Sequence, residues 1–400
     1  MGNNVLKPSL RFKGFTETWE QRNIKELGKV FIGLVTTMTT SYTTEGTLLI
    51  RNSDIKENKF SFSDDPIFLE SKFAQENASR MLKIGDVVTV HTGDVGTSAV
   101  ISENEENSIG FATINTRPNQ KIINPDYLSC FFNTDIHRNF AVNMSTGDGR
   151  TNYNLKEFNQ VMVPLPNLSE QKQIASIILT INQLITLHQR KYDKLVNVKK
   201  AFLDKMFPKN GEVIPKLRFK GFTDAWEQRE LCELAQITMG QSPNGINYTS
   251  NPKDYVLVQG NADMENGWVT PRVWTTQITK MAEPNDLIFS VRAPVGAVGK
   301  TQHKAVIGRG VASIRGNEFI FQELLRLNMN NHWKTISTGS TFDSINSTEL
   351  RTTSIKAPQM DEQNKIGGFL KSVDSLITLH QRKYEKLQNI KKALLQKMFI

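Results

Sequence analysis

Two cysteines in 400 residues, Cys130 and Cys232, rule out a disulfide framework and point to a reducing compartment. Long hydrophobic runs are missing as well. The most apolar stretch, Ile174 to Leu187, is broken by Ser, Thr, Asn and Gln and is too short to span a bilayer. The N-terminal MGNNVLKPSLRF has no hydrophobic signal core, and Leu6 stands where a myristoylation signal needs Ser or Thr. A cytoplasmic protein with no membrane partner is expected. The six histidines, His91, His137, His188, His303, His332 and His380, do not pair with Cys or carboxylate at ligand spacing, so no metal is expected. Charge of one sign does not dominate: 49 basic against 40 acidic residues leave +9, which is compatible with nucleic acid but equally with a solvated Lys-rich helix surface. With 38% hydrophobic and 22% charged residues the composition is that of an ordinary soluble protein, and the length suggests two to three domains.

What the chain does contain, it contains twice. LITLHQRKY occurs at Leu184–Tyr192 and again at Leu376–Tyr384, inside a longer match running from Glu170 to Phe207 and from Glu362 to Phe399 at a constant offset (362 − 170 = 192). Ile174, Ile178, Ile181, Ile185, His188, Tyr192, Leu195, Phe202 and Met206 recur at three- and four-residue steps. Ile366, Leu370, Val373, Ile377, His380, Tyr384, Leu387, Leu394 and Met398 repeat the pattern. That spacing predicts two helices of about 34 residues, each about 50 Å long with one apolar seam, and each seam is the nearest available partner for the other. His188 and His380 occupy equivalent seam positions, suited to polar groups that fix register. The helices also hold the basic surplus, 8 basic against 4 acidic residues in each of 168–214 and 360–400.

A second repeat opens each half: LRFKGFTETWEQRNIKEL at Leu10–Leu27 and LRFKGFTDAWEQRELCEL at Leu217–Leu234, offset by 217 − 10 = 207. The second intervening region is therefore 207 − 192 = 15 residues shorter. Between the repeats lie β-branched runs after turn residues, Asp86–Val90 and Asp286–Ser290, each followed by a Gly-bearing loop, His91–Gly96 (HTGDVG) and Val291–Gly296 (VRAPVG). Short strands closed by proline, ending at Pro166 and Pro358, precede the helices, with Ser169 and Asp361 placed as N-caps and Glu170 and Glu362 in the first turn, where the helix dipole favours them. The expected architecture is α+β: β-rich domains at 1–167 and 215–359, separated by long helices at 168–214 (with a linker) and 360–400 that pair as an antiparallel coiled coil, in a pseudo-two-fold internal repeat.

Signals for chemistry are weak. Ala293–Thr301 approaches a phosphate-binding loop but has Pro294 where a Gly amide must face the phosphate, and a β-turn is the expected reading. Asp65, Glu70 and Lys72 offer the residue types of a metal-dependent nuclease, but they are compressed into one segment without a counterpart in the second half. Asn124-Pro125-Asp126-Tyr127 reads as a helix start rather than a methyltransferase loop, because proline suits the first helical turn.

The order of these parts resembles the DNA specificity subunit of type I restriction-modification enzymes over essentially the whole chain. The likeness is carried by Trp19–Arg22 and Trp226–Arg229 (WEQR), by the P-x-x-x-E-Q segments Pro166–Gln171 and Pro358–Gln363, and by the long helices ending in Lys-Met-Phe. The resemblance implies two target recognition domains, each reading half of a bipartite double-stranded DNA sequence, with the helices spacing them and binding modification subunits, two in number, and through these the restriction subunits. It implies no catalysis and no cofactor on this chain; S-adenosylmethionine, ATP and magnesium belong to the partners. Sequence readout needs donors and acceptors on exposed loops, for which His91, Thr92, Arg150, Asn152 and Tyr153 in the first half and Arg292, Thr338, Ser340 and Thr341 in the second are the candidates. Ile181, Ile185, His188, Tyr192, Val373, Ile377, His380 and Tyr384 are the candidates for the helix interface. The rival readings are a single-chain restriction or methyltransferase enzyme and a duplicated scaffold that binds only proteins.

Overall fold

The computed structural model describes residues 7–36, 39–146, 151–209, 211–337 and 343–399. The chain falls into two compact units, the first formed by 1–189 together with 382–400 and the second by 190–381. Each unit thus takes a β-rich region and half of each long helix, a division that boundaries at 168, 215 and 360 do not express.

In the first unit, Gly28–Ile32, Thr113–Pro118, Val87–Val90 and Ser98–Val100 form an antiparallel four-stranded sheet in that order. All four residues of Val87–Val90 are buried, as expected of a strand covered on both faces. A second sheet orders Ile109–Phe111, Thr47–Arg51, Phe68–Leu69 and Tyr42–Thr43. Two helices follow, α1 (Pro125–Phe132) and α2 (Asp135–Met144). Asn124 caps α1 by accepting the Tyr127 N–H, and Pro125 occupies its first turn, as the sequence requires. The long helix α3 spans Leu168–Lys205. The second unit repeats the plan with a six-stranded sheet built around Val311–Arg315 and Leu287–Ser290, a five-stranded sheet, the helix α4 (Glu318–Met329), and the long helix α5 (Met360–Met398).

The WEQR repeats have a structural task. Glu20–Asn23 pairs antiparallel with Met162–Leu165, and Glu227–Glu230 pairs with Ser354–Ala357 in the same register, Glu20 opposite Leu165 and Glu227 opposite Ala357. Each entry strand therefore clamps the strand that leads into a long helix. The next element of the clamp is a buried carboxylate. Glu170 is fully buried and accepts two hydrogen bonds from the Arg11 guanidinium, at 2.6 and 2.8 Å, and one from Trp19 Nε1 at 3.2 Å. Glu362 receives the same two-pronged contact from Arg218, both at 2.7 Å, while buried Trp226 Nε1 finds no acceptor among the described residues. The hydrogen bond to the carboxylate raises the pKa of each arginine above its ordinary value. The neighbouring glutamines serve the same end: Gln171 accepts from the Asn124 N–H and donates to the Ile122 and Pro166 carbonyls, and Gln363 bridges Asn317 and the Pro358 carbonyl. Ser169 and Asp361 are not the N-caps expected of them. The helices begin earlier, at Leu168 and Met360, with Asn167 Oδ1 accepting the Glu170 N–H and the Gln359 carbonyl accepting those of Glu362 and Gln363.

Pairing of the long helices is visible inside each unit. In the first, Asn182, Ile185 and Thr186 of α3 line one cleft together with Gln388, Lys391 and Leu395 of α5. In the second, Phe202 packs edge-on against Phe369 at 4.9 Å and Lys199 pairs with Asp374 at 2.6 Å, so one helix descends as the other ascends. The helices form an antiparallel coiled coil. Their Lys-Met-Phe ends enter the globular cores: Phe399 stacks on Tyr127 at 5.4 Å, and Phe207 stacks on Phe319 at 5.2 Å. The chain then continues alike in both units, with the Leu217 N–H donating to the Lys205 carbonyl (2.8 Å) and the Leu10 N–H to the Lys397 carbonyl (2.9 Å). The N-terminal segment is held at the end of α5 as covalent linkage holds its counterpart at the end of α3.

Candidate DNA-reading loops

Each unit builds a clasp of two loops. In the first, the Tyr153 N–H donates to the His91 carbonyl at 2.8 Å, and Thr92 bridges to Asn152. In the second, the Ile345 N–H donates to the Val291 carbonyl at 2.9 Å, and Arg292 bridges to Ser344. Gly96 and Gly296 close the first loop of each pair at φ +84° and +90°, and a Cβ on Gly296 would lie 2.4 Å from the Trp333 ring, so backbone conformation and space both demand glycine there.

Among the expected readers, His91, Thr92 and Asn152 converge. His91 Nδ1 lies 2.7 Å from Thr92 Oγ1, which donates to Asn152 Oδ1 at 2.9 Å. Burial lowers the His91 pKa, which favours the neutral ring as a hydrogen-bonding group. Arg292 is exposed. Arg150, Thr338, Ser340 and Thr341 lie outside the described residues. Tyr153 requires correction as a reader of bases. Its side chain is fully buried, packed on His137, Phe140 and Phe158, because it fills the core position that Ile345 fills in the second unit. Asn52 was not foreseen: its Oδ1 accepts the His91 N–H at 2.8 Å while its amide donates to the Phe111 and Ala112 carbonyls, fixing the loop from below. The signal available was the faint match of Asn52-Ser53-Asp54 to Asn261-Ala262-Asp263, whose aspartates each accept from an arginine, Arg51 and Arg272.

The helix candidates lie along the seam. Ile181 and Val373 are buried, and Ile185, His188, Tyr192, Ile377, His380 and Tyr384 are half-buried. The opposite pattern is equally regular: Leu184 and Leu187 on α3 and their equivalents Leu376 and Leu379 on α5 are all about 40–45% exposed.

Beneath the first clasp sits His137, fully buried, with Nδ1 at 2.9 Å from the Phe132 carbonyl and Nε2 at 3.4 Å from Tyr153 Oη. Burial pushes its pKa down to about 4. Below the ordinary value near 6.5 the unfolded chain takes up a proton that the folded one refuses, so this group's contribution is complete above about pH 6.5 and is lost as pH falls toward 4, by about 3 kcal/mol. Chemical denaturation of wild type and His137→Gln across that range should show a shallower loss in the variant; parallel curves would refute the assignment.

Signs of chemistry resolve into structure. Val298–Lys300 is a strand, not the helix a phosphate loop needs, and Lys300 is engaged by Glu318 at 2.5 Å. Glu70 stands at the start of the Ser71–Glu76 helix. Among the described residues no group of three or more His, Cys, Asp or Glu could hold a metal ion, and no helix is long and apolar enough to cross a membrane.

The model of the type I restriction modification DNA specificity domain matches the chain twice, at residues 16–197 and 223–389. The chain belongs to this family. It is 27% identical to the putative type I restriction enzyme MjaX specificity subunit of Methanocaldococcus jannaschii, over 95% of this chain and 92% of that protein. The MjaVIII specificity subunit of the same organism is 23% identical over 68% of each chain. The crystal structure of the type I restriction-modification S subunit from M. genitalium shares the fold, with a TM-score of 0.69 over 99% of both chains at 13% identity. As a specificity subunit, the protein is a non-catalytic DNA-recognition component of a type I restriction-modification complex, with one recognition domain for each half of a bipartite target.

Proposed function

We propose that the two loop clasps read the two halves of the target, the first through His91, Thr92, Asn152 and Arg150, the second through Arg292, Thr338, Ser340 and Thr341. The observation that carries this reading is the same clasp built in both units and dressed with different side chains. A frame that recurs while its exposed polar groups change is what two readers of different sequences need. The modification subunits, two in number, dock on the duplicated helices, and the repeated exposed pairs Leu184/Leu187 and Leu376/Leu379 support two like partners meeting two like surfaces. Restriction subunits join through them. S-adenosylmethionine, ATP and magnesium are held by those partners in this reading, and the protein works in the cytoplasm.

One experiment tests both parts. Methylated sites are sequenced in cells expressing the chain with its modification subunits. Thr92→Ala with Asn152→Ala should relax one half of the target and Arg292→Ala the other, each lost base contact corresponding to about 1–3 kcal/mol of discrimination. Leu184→Glu with Leu376→Glu should abolish methylation at every site without unfolding the chain. Loop variants that relax both halves together, or glutamates that leave methylation intact, would overturn the reading.

A further inference from the structure

Beside the first clasp the structure opens a cleft of about 970 Å³ between the Ile55–Phe60 hairpin, α2 and the paired helices of that unit. Its lining is rich in cations: Lys56 and Lys59 on the hairpin, Arg138 on α2, Lys391 and Lys392 on α5. Three carboxylates share it. Glu57 is taken by Lys391 and Arg138, Asp94 of the His91–Gly96 loop by Arg138, and Asp135 sits in the first turn of α2, where the helix dipole accommodates it. Lys56, Lys59 and Lys392 form no ion pair with a described residue. The Asn182 side-chain amide, also lining the cleft, has a buried Nδ2 without an acceptor. Apart from Asp135, the charged groups left without an ion pair are thus three ammoniums, and beside them lies one buried amide N–H without an acceptor.

The second unit shows that the fold does not require this. There the position equivalent to Asn182 (374 − 192 = 182) is Asp374, which accepts from Lys199 at 2.6 Å and from Gln322 at 2.7 Å. The equivalent hairpin, Met264–Val269, carries Glu265 and Trp268 opposite each other where the first carries Lys56 opposite Lys59. The frame lysines recur in both units, Lys199 and Lys200 matching Lys391 and Lys392, while the hairpin lysines Lys56 and Lys59 and the unpaired Asn182 amide belong to the first unit alone.

We propose that this cleft takes the phosphodiester backbone of the DNA whose bases the adjoining His91–Gly96 loop reads, with Lys56, Lys59 and Lys392 pairing with phosphates and Asn182 donating to a phosphate oxygen. The assignment rests on the DNA-reading function proposed above. A cleft with three unpaired ammoniums bordered by a base-reading loop fits the phosphate contacts that set register in protein–DNA complexes.

The test is binding of the full chain, assembled with its modification subunits, to a fluorescein-labelled random-sequence duplex across about 50–200 mM salt. K56Q/K59Q/K392Q should flatten the dependence of log affinity on log salt by two to three and weaken binding on the order of 10²-fold near 0.1 M salt, since each phosphate contact contributes about 0.9 to the slope. K56R/K59R/K392R should keep the wild-type slope. Acetylation of the three lysines, read by mass spectrometry, should fall when the duplex is added. Wild-type binding with an unchanged slope in the glutamine variant, or lysines that remain fully reactive on DNA, overturns the cleft assignment alone. Loss of modification-subunit capture in place of a slope change would assign the cleft to a protein partner and also overturn it. Absence of DNA binding by the wild-type assembly would overturn the DNA-reading function itself.

Discussion

Glu170→Ala is expected to destabilise the first unit by about 3–5 kcal/mol, far more than the substitution of an exposed glutamate in a helix's first turn. The carboxylate is fully buried, and its removal takes the counter-charge from the part-buried Arg11 guanidinium, which keeps only the Glu17 carbonyl, and leaves the buried Trp19 indole N–H without an acceptor. Glu362→Ala should act on the second unit in the same way, through Arg218. Removing both partners is a different experiment. Arg11→Met with Glu170→Leu deletes the charge together with its counter-charge, and most of the loss should be recovered because no buried charge is left alone. Chemical denaturation of the four proteins in a double-mutant cycle measures the coupling. Single variants that each cost less than about 1 kcal/mol would show that the clamp does not hold the helix entry.

The clamp also marks where sequence reasoning succeeds and where it stops. Helix length, the apolar seam and the pairing partner were legible because a three- and four-residue period repeated over nine positions has no other physical explanation. The first-turn positions of Glu170 and Glu362 were legible as well, but the helix dipole is only part of their cause. A partner 159 residues away, Arg11, cannot be read from local spacing, and a first-turn acid looks the same whether water or a distant guanidinium faces it. Tyr153 failed for a related reason. Its flanking Asn and Thr resemble an exposed loop, yet the chain turns inward for one residue, and only alignment with Ile345 (345 − 192 = 153) would have shown an apolar position. Ser169 as N-cap lost to Asn167 two residues earlier, a boundary that residue preferences alone do not distinguish. The difference between Asn182 and Asp374 was visible in the aligned repeats, but its meaning needed the hairpin that approaches from 120 residues or more away.

Exchanging residues 30–165 for the corresponding region of another specificity subunit is expected to change one half of the methylated sequence and leave the other half as it was. The strands that clamp the helices, Glu20–Asn23 with Met162–Leu165 and Glu227–Glu230 with Ser354–Ala357, share one register although the regions they enclose differ by 15 residues, so the enclosed domain is replaceable on a constant frame. The gap between the halves should respond to a separate change. The two units divide the chain after Gln189 and after Gln381, the same step of the repeat (381 − 189 = 192). Seven residues inserted at both places preserve the period of the apolar seam and leave the side-chain pairs inside each unit untouched, among them Lys199 with Asp374 and Lys391 with Glu57. At 1.5 Å per residue the insertion adds about 10 Å, close to three base pairs of B-DNA, and the methylated target should acquire a gap longer by about that number with both half-sites intact. Methylome sequencing reads the two variants side by side. A domain exchange that alters both halves, or a lengthened pair of helices that leaves the gap as it was, would show that the frame does not set the spacing.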